Sequence, residues 1–211
     1  MTDSQTRTLV VRVWLPDRPG ALGQVASRIG ALHGDVTAID ILEQGGGRVV
    51  DELVVSLPNS ASEALLAKEL CAVDGVAVEH ICPVAADRAD SSTAMLDLAA
   101  TVAEAPPEKR NGVLCRGLVH ALDADWAALV GNGCVLAASG EPPEDDWLLA
   151  FLDGSHHLDS AGPAGAAPGD VVWGRLPTLG ATFAAGRSAR PLHARERSRA
   201  TVFARIVDRL G

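Results

Sequence analysis

The chain has 211 residues, 47% of them apolar and 3% aromatic, with 18 Lys and Arg against 27 Asp and Glu for a net charge of −9. That apolar fraction argues against disorder, and the negative charge argues against nonspecific attachment to nucleic acid or an anionic membrane. No apolar run approaches the length of a membrane span and Met1 to Arg7 is polar, so a cytoplasmic protein is expected, with no membrane or nucleic-acid partner.

The first periodic segment, Thr8 to Leu15, alternates Leu9, Val11, Val13 and Leu15 with Val10, Arg12 and Trp14, which predicts a strand with one strongly apolar face. Pro16-Asp17-Arg18-Pro19-Gly20-Ala21-Leu22 follows. Pro19 fixes its own φ and moves Arg18 away from helical angles, while Gly20 accepts angles other residues avoid. A tight strand-to-helix turn is predicted, its free amides facing one small space. Such a helix start can hold a carboxylate, and Asp17 beside it can hold an ammonium group; the competing reading is a capped, solvated turn. Leu22, Val25, Ala26, Ile29 and Leu32 then recur at helical spacing up to Gly34.

Val36 to Glu43 and Arg48 to Leu57 read as a hairpin about Gly45-Gly46-Gly47. Ser60 or Ser62 can cap the next helix, with Leu65, Leu66, Leu70 and Val73 inward. Val76 to Val84 closes a β-α-β-β-α-β order, the ferredoxin-like plan of an antiparallel sheet with both helices on one face. Its uncovered edge needs protection, which dimerisation can supply.

Ala85 to Thr93 is polar and reads as a linker from which a second domain begins at residue 94. Helices are predicted over Met95 to Glu104 and Gly112 to Leu122, separated by a Pro106-Pro107 break. Trp126 to Val130 and Cys134 to Ala138 form a hairpin through Gly131-Asn132-Gly133. Glu144 to Leu152 is a short helix, Ser160 to Gly169 a surface loop, and Asp170 to Leu176 and Ala181 to Gly186 two more strands. Ala194 to Leu210 is an Arg-rich helix with Val202, Phe203, Ile206, Val207 and Leu210 inward.

The stretch LPDRPGALGQVASRIGALHGDVTAIDI, followed by GGRVVDELVVSLP, resembles the ACT domain family over about residues 8 to 84. The resemblance implies a ferredoxin-like regulatory module over residues 1–86 that forms homodimers and binds an amino acid at the subunit interface. On it, Asp17 faces the α-ammonium and the amides of Gly20, Ala21 and Leu22 take the α-carboxylate, with Arg18 and Pro19 shaping the turn. Val36, Thr37, Ala38 and Ile39 complete the pocket, from the neighbouring subunit. The chain departs from amino-acid-binding members at Val36, where they often carry Asn, and from serine-binding members at Leu15, where they carry His. After a linker at 87–93, residues 94–211 resemble a small GAF-like α+β domain in WAALVGNGCVLAASG and in the ending FAAGRSARPLHARERSRATVFARIVDRL.

Other groups have plainer readings. Cys71, Cys82, Cys115 and Cys134 lack zinc or disulfide spacing and read as reduced structural thiols. His156-His157 with Asp159 reads as a solvated loop rather than a metal site, His33 and His80 as element ends, and His120 as a locally satisfied helix residue. From Arg187 onward seven Arg face only Glu196 and Asp208. Arg187, Arg190, His193, Arg195, Arg197 and Arg199 could hold an anion, a nucleotide or nucleic acid, but a solvated or ion-paired Arg face, for which Glu141, Glu144, Asp145 and Asp146 are available partners, is the stronger reading. The bias to Arg over Lys, with abundant Ala and Gly, is that of a high-GC bacterial genome.

No nucleophile, base and orienting group assemble in the sequence, and no phosphate-loop or dinucleotide signature is present. The expectation is a non-enzymatic regulatory protein without cofactor or metal, whose ACT-like half senses an amino acid and signals through the GAF-like half. Two alternatives stay open: a dimerisation module without a ligand, and an enzyme with its site in the second domain.

Overall fold

Thr6–Pro16 (β1) alternates as its sequence demands, and both of its edges are hydrogen-bonded, to Arg48–Pro58 (β3) on one side and Ala77–Val84 (β4) on the other. With Asp35–Gly45 (β2) outside β3, the sheet order is β2-β3-β1-β4, antiparallel throughout. Ala21–Ala31 (α1) follows β1, and Glu63–Cys71 (α2) lies between β3 and β4. The computed structural model describes residues 6–155, 170–188 and 190–210. Among these the chain is an α+β protein with two four-stranded antiparallel sheets and six helices, divided into the compact units Met1–Arg88 and Ala89–Gly211. His156, His157, Asp159 and the loop expected at 160–169 lie outside the described residues.

In the first unit Leu9, Val11, Val13 and Leu15 of β1 meet Val25 and Ile29 of α1 and Leu66 and Leu70 of α2, which puts both helices on one sheet face. The opposite face carries Val10, Arg12 and Trp14. Arg12 Nε donates to Glu52 at 2.7 Å, Trp14 Nε1 donates to Glu79 at 2.8 Å, and the Arg48 guanidinium lies 5.6 Å from the centre of the Trp14 ring. His80, expected at an element end, stands mid-strand opposite Arg12. Ser62 caps α2 through the Leu65 amide at 3.1 Å. Leu65 itself is 39% exposed, not inward, because Leu66 and Leu70, four apart, take the inner stripe.

Two expected starts shift in the second unit. Ser91–Glu104 (α3) begins inside the segment read as a linker, since Asp90 accepts from the amides of Ser92 and Thr93 and nucleates the turn there. Pro107–Ala121 (α4) begins at the proline pair rather than at Gly112, because proline in the first helical position forfeits no hydrogen bond. Trp126–Gly131 (β5) and Cys134–Gly140 (β6) form the hairpin, with Asn132 and Gly133 both at positive φ. Asp145–Gly154 (α5), Val171–Leu176 (β7), Ala181–Gly186 (β8) and Ala194–Val207 (α6) complete the unit, with sheet order β6-β5-β8-β7.

The helices α3, α4 and α6 cover one face of this sheet, where Leu98, Leu118, Leu129, Phe183 and Phe203 meet. On the other face Leu148 and Leu152 of α5 pack on Trp126, Ala128 and Trp173, and Phe151 sets its edge on Trp173 at 5.4 Å. Coverage on both sides explains why every residue of β5 is buried. Val202, expected inward, is 49% exposed, since Ala200, Phe203, Ala204 and Val207 already form the inner stripe of α6. No helix among the described residues is long and apolar enough to cross a membrane.

Candidate functional site

The turn between β1 and α1 is built by its own backbone. Arg18 N–H donates to Pro16 O at 2.8 Å, and Asp17 N–H donates to Gly47 O at 2.9 Å, tying the turn to the β2–β3 hairpin. Gly20 is the N-cap of α1 with φ 86°, and a Cβ there would meet nothing within 4 Å. The left-handed angle, not crowding, is therefore what selects glycine. No side chain caps α1 and its first turn holds no acidic residue. Ala21 N–H bonds Arg18 O and Gln24 N–H bonds Gly20 O, whereas the amides of Leu22 and Gly23 between them have no partner in the turn among the described residues. These amides carry the positive end of the helix dipole and suit a carboxylate.

Asp17, Arg18, Pro19 and Gly20 are exposed, Ala21 is buried, and Leu22 packs half-buried on the core. Arg18 reaches Gln24 at 3.3 Å. The strand residues expected to complete the pocket stand elsewhere in the same chain. Pro16 pairs with Arg48, but Val36 pairs with Val55, about 23 Å further along β3 at ~3.3 Å per residue. Val36 belongs to the core edge, Thr37 donates its hydroxyl to Val54 O at 3.2 Å, and Ala38 and Ile39 are exposed. Within one chain, Val36 to Ile39 and the turn are not brought together.

Asp51 is the residue that sequence reasoning missed. It pairs with Val13 and Ile41 on the sheet face that carries the helices, interrupting the inward series Val49, Leu53, Val55 and Leu57. It is only 3% exposed, and its Oδ1 has no hydrogen-bond partner among the described residues. Burial raises its pKa above the ordinary carboxyl value, and the nearby charges of Asp17 and then Asp40 raise it further. A buried polar atom left unpaired costs about 1–3 kcal/mol. The signal was available in the sequence: Asp51 falls in step with four apolar residues of a strand.

In the second unit three arginines of the basic cluster, Arg187, Arg190 and Arg197, are engaged by the fold. The fully buried Arg187 donates to the carbonyls of Leu122, Arg190 and Pro191 and to both oxygens of Glu196 at 2.9 Å. Arg190 pairs with Asp123, and Arg197 donates to the carbonyls of Leu192 and Val171. The partners expected for this cluster, Glu141, Glu144, Asp145 and Asp146, are instead exposed. The physical reason is proximity: backbone carbonyls, Glu196 and Asp123 lie within reach of the Arg187, Arg190 and Arg197 guanidiniums.

A cleft of about 740 Å³ lies beside α5, lined by Asn132, Gly133, Leu149, Asp153, Arg175 and Thr182 among others. Among the described residues it brings together one carboxylate and one guanidinium, Arg175 also donating to Ser155 O at 3.0 Å, with no histidine or cysteine. His120 is exposed in the last turn of α4. Burial pushes the Cys115 thiol up to about 11, out of the reactive range. Among the described residues no group of three His, Cys, Asp or Glu could hold a metal ion.

No protein-family model matches the chain, and no curated protein does. Among solved structures, an unknown protein from Galdieria sulphuraria is similar at 18% identity and a TM-score of 0.34, over 46% of this chain and 65% of that one. An uncharacterized protein from Thermotoga maritima is similar at 20% identity and a TM-score of 0.31, over 38% of this chain and 100% of that one. A formyltetrahydrofolate deformylase from Pseudomonas putida KT2440 is similar at 18% identity and a TM-score of 0.29, over 42% of this chain and 36% of that one. The chain thus spans under two thirds of the first of these structures, and likenesses this partial assign neither a family nor an activity.

Proposed function

We propose that the protein is a non-enzymatic regulator whose first unit is a ferredoxin-like, ACT-type module that forms homodimers and binds a free amino acid, with a GAF-like second unit relaying the signal. The observation that carries this reading is the Asp17–Gly20 turn. It sets a carboxylate beside two unpaired amides at a helix start, a matched pair for the ammonium and carboxylate of an amino acid. The sheet order β2-β3-β1-β4 with two helices on one face supports the fold assignment. The outer edge of β2, where Ile39 is 49% and Ile41 is 43% exposed, supports dimerisation through that strand. A partner's β2 would then bring Val36 to Ile39 against the turn. Signal transfer follows if the ligand binds one arrangement of the dimer more tightly than another.

One observation favours a dimeriser without ligand: Leu15, standing where serine-binding relatives of the resembled family place a histidine, faces the core at 1% exposure. Calorimetric titration of the full chain with the twenty amino acids separates the readings. The sensor requires micromolar binding of at least one, about −8 kcal/mol, weakened at least tenfold in Asp17→Ala. Silence from all twenty at several millimolar, with a dimer retained in light scattering, removes the sensor and favours the dimeriser.

A further inference from the structure

We propose that Asp51 is the second anion of the turn site and that the ligand is an amino acid whose side chain carries its own positive charge. The proposal rests on the amino-acid reading above and deepens it. The α-carboxylate lies on the α1 amides, the α-ammonium on Asp17, and the side-chain cation on Asp51.

The argument is one of unmatched charge. An apolar side chain at position 51 would complete the inward stripe of β3, so packing alone does not call for a carboxyl there. Its Oδ1 is buried and unbonded, and the charged neighbours acting on it, Asp17 of the turn and Asp40 of β2, are themselves acidic. Cations close in the sequence or in register are turned elsewhere. Arg12 stands on the opposite sheet face and holds Glu52 at 2.7 Å, Arg48 lies over the Trp14 ring, and Arg18 reaches Gln24. A zwitterionic ligand with a neutral side chain would satisfy the helix amides and Asp17 and leave Asp51 unmatched. A metal ion is a poor substitute, because these carboxylates do not form a metal-holding group. One more ammonium or guanidinium, on a flexible stem that can pass from the exposed turn to the buried carboxyl, balances the site.

The test is calorimetric titration of the full chain with L-lysine, L-arginine, L-norleucine and L-glutamine. Lysine or arginine should bind at least tenfold more tightly than norleucine, which copies the lysine stem without its charge. Asp51→Asn, close to isosteric, should erase that preference while moving norleucine affinity less than threefold. The comparison of ligands on the unaltered protein stands even if the variant folds poorly. Equal or tighter binding of a neutral amino acid, or a preference that survives in a folded Asp51→Asn protein, overturns this inference and leaves the amino-acid reading in place. Failure of all twenty amino acids to bind removes both.

Discussion

Replacing Arg187 with methionine keeps most of the side-chain volume and removes every polar bond it makes. The guanidinium is fully buried and serves three carbonyls, of Leu122, Arg190 and Pro191, besides both oxygens of Glu196. Glu196 is itself buried, and it also accepts from the His193 amide at 2.8 Å. Deleting one member of a buried ion pair costs about 3–5 kcal/mol, chiefly because the other charge stays behind without compensation. Taken against a typical domain stability of about 5–15 kcal/mol, a loss near 4 kcal/mol is about a quarter or more of the total. With a urea slope of ~2 kcal/mol/M the midpoint falls by about 2 M.

The assay is urea unfolding in a Trp14→Phe background, so that Trp126, Trp147 and Trp173 report the second unit by itself. The double variant Arg187→Met/Glu196→Met should recover more than half of the loss, because an apolar pair of similar volume carries no desolvated charge. A coupling of at least ~1.5 kcal/mol is then expected from the mutant cycle. A single-variant loss under about 1 kcal/mol, or a double variant equal to the sum of the singles, would refute the reasoning.

Asp51 has a folded-state pKa above its unfolded value, so the folded protein holds its proton more tightly. Its contribution to stability is present at low pH and is lost as pH rises through the raised pKa. Asp51→Asn should therefore flatten the decline in urea midpoint with rising pH, followed at Trp14; parallel wild-type and variant curves would contradict this. Gly140 has φ 75° and a Cβ there would stand 2.0 Å from Asp125 O, so Gly140→Ala should destabilise the second unit by at least ~2 kcal/mol. Gly133, at φ 72° in open space, carries only the conformational part, and Gly133→Ala should cost about 1 kcal/mol in the same unfolding assay. Equal losses at the two positions would show that the contact with Asp125 is relieved by a small shift.

Local order was legible in the sequence because local rules control it. Alternation in Leu9 to Leu15, the Pro19-Gly20 turn, the Ser62 cap and the Asn132-Gly133 hairpin each act within a few residues, and each stands where its chemistry puts it. Helix starts were misplaced where two local signals competed, as at Asp90 and Pro107. The candidate site was half legible. Asp17 to Leu22 announce a helix start with free amides, whereas the part proposed for Asp51 follows from pairing. Alternation within β3 already puts its carboxyl on the helix side, but only the registers of β3 with β1 and β2 bring it near Asp17, and pairing across the sheet is a property of no single segment. The Arg-rich end was misread for a related reason. A sequence displays the acidic side chains that could neutralise Arg187, but its partners include three backbone carbonyls, which every residue possesses and no composition reveals. Where a guanidinium finds its acceptors is decided by which backbone the fold leaves unpaired within hydrogen-bond reach, and only the assembled tertiary structure determines that.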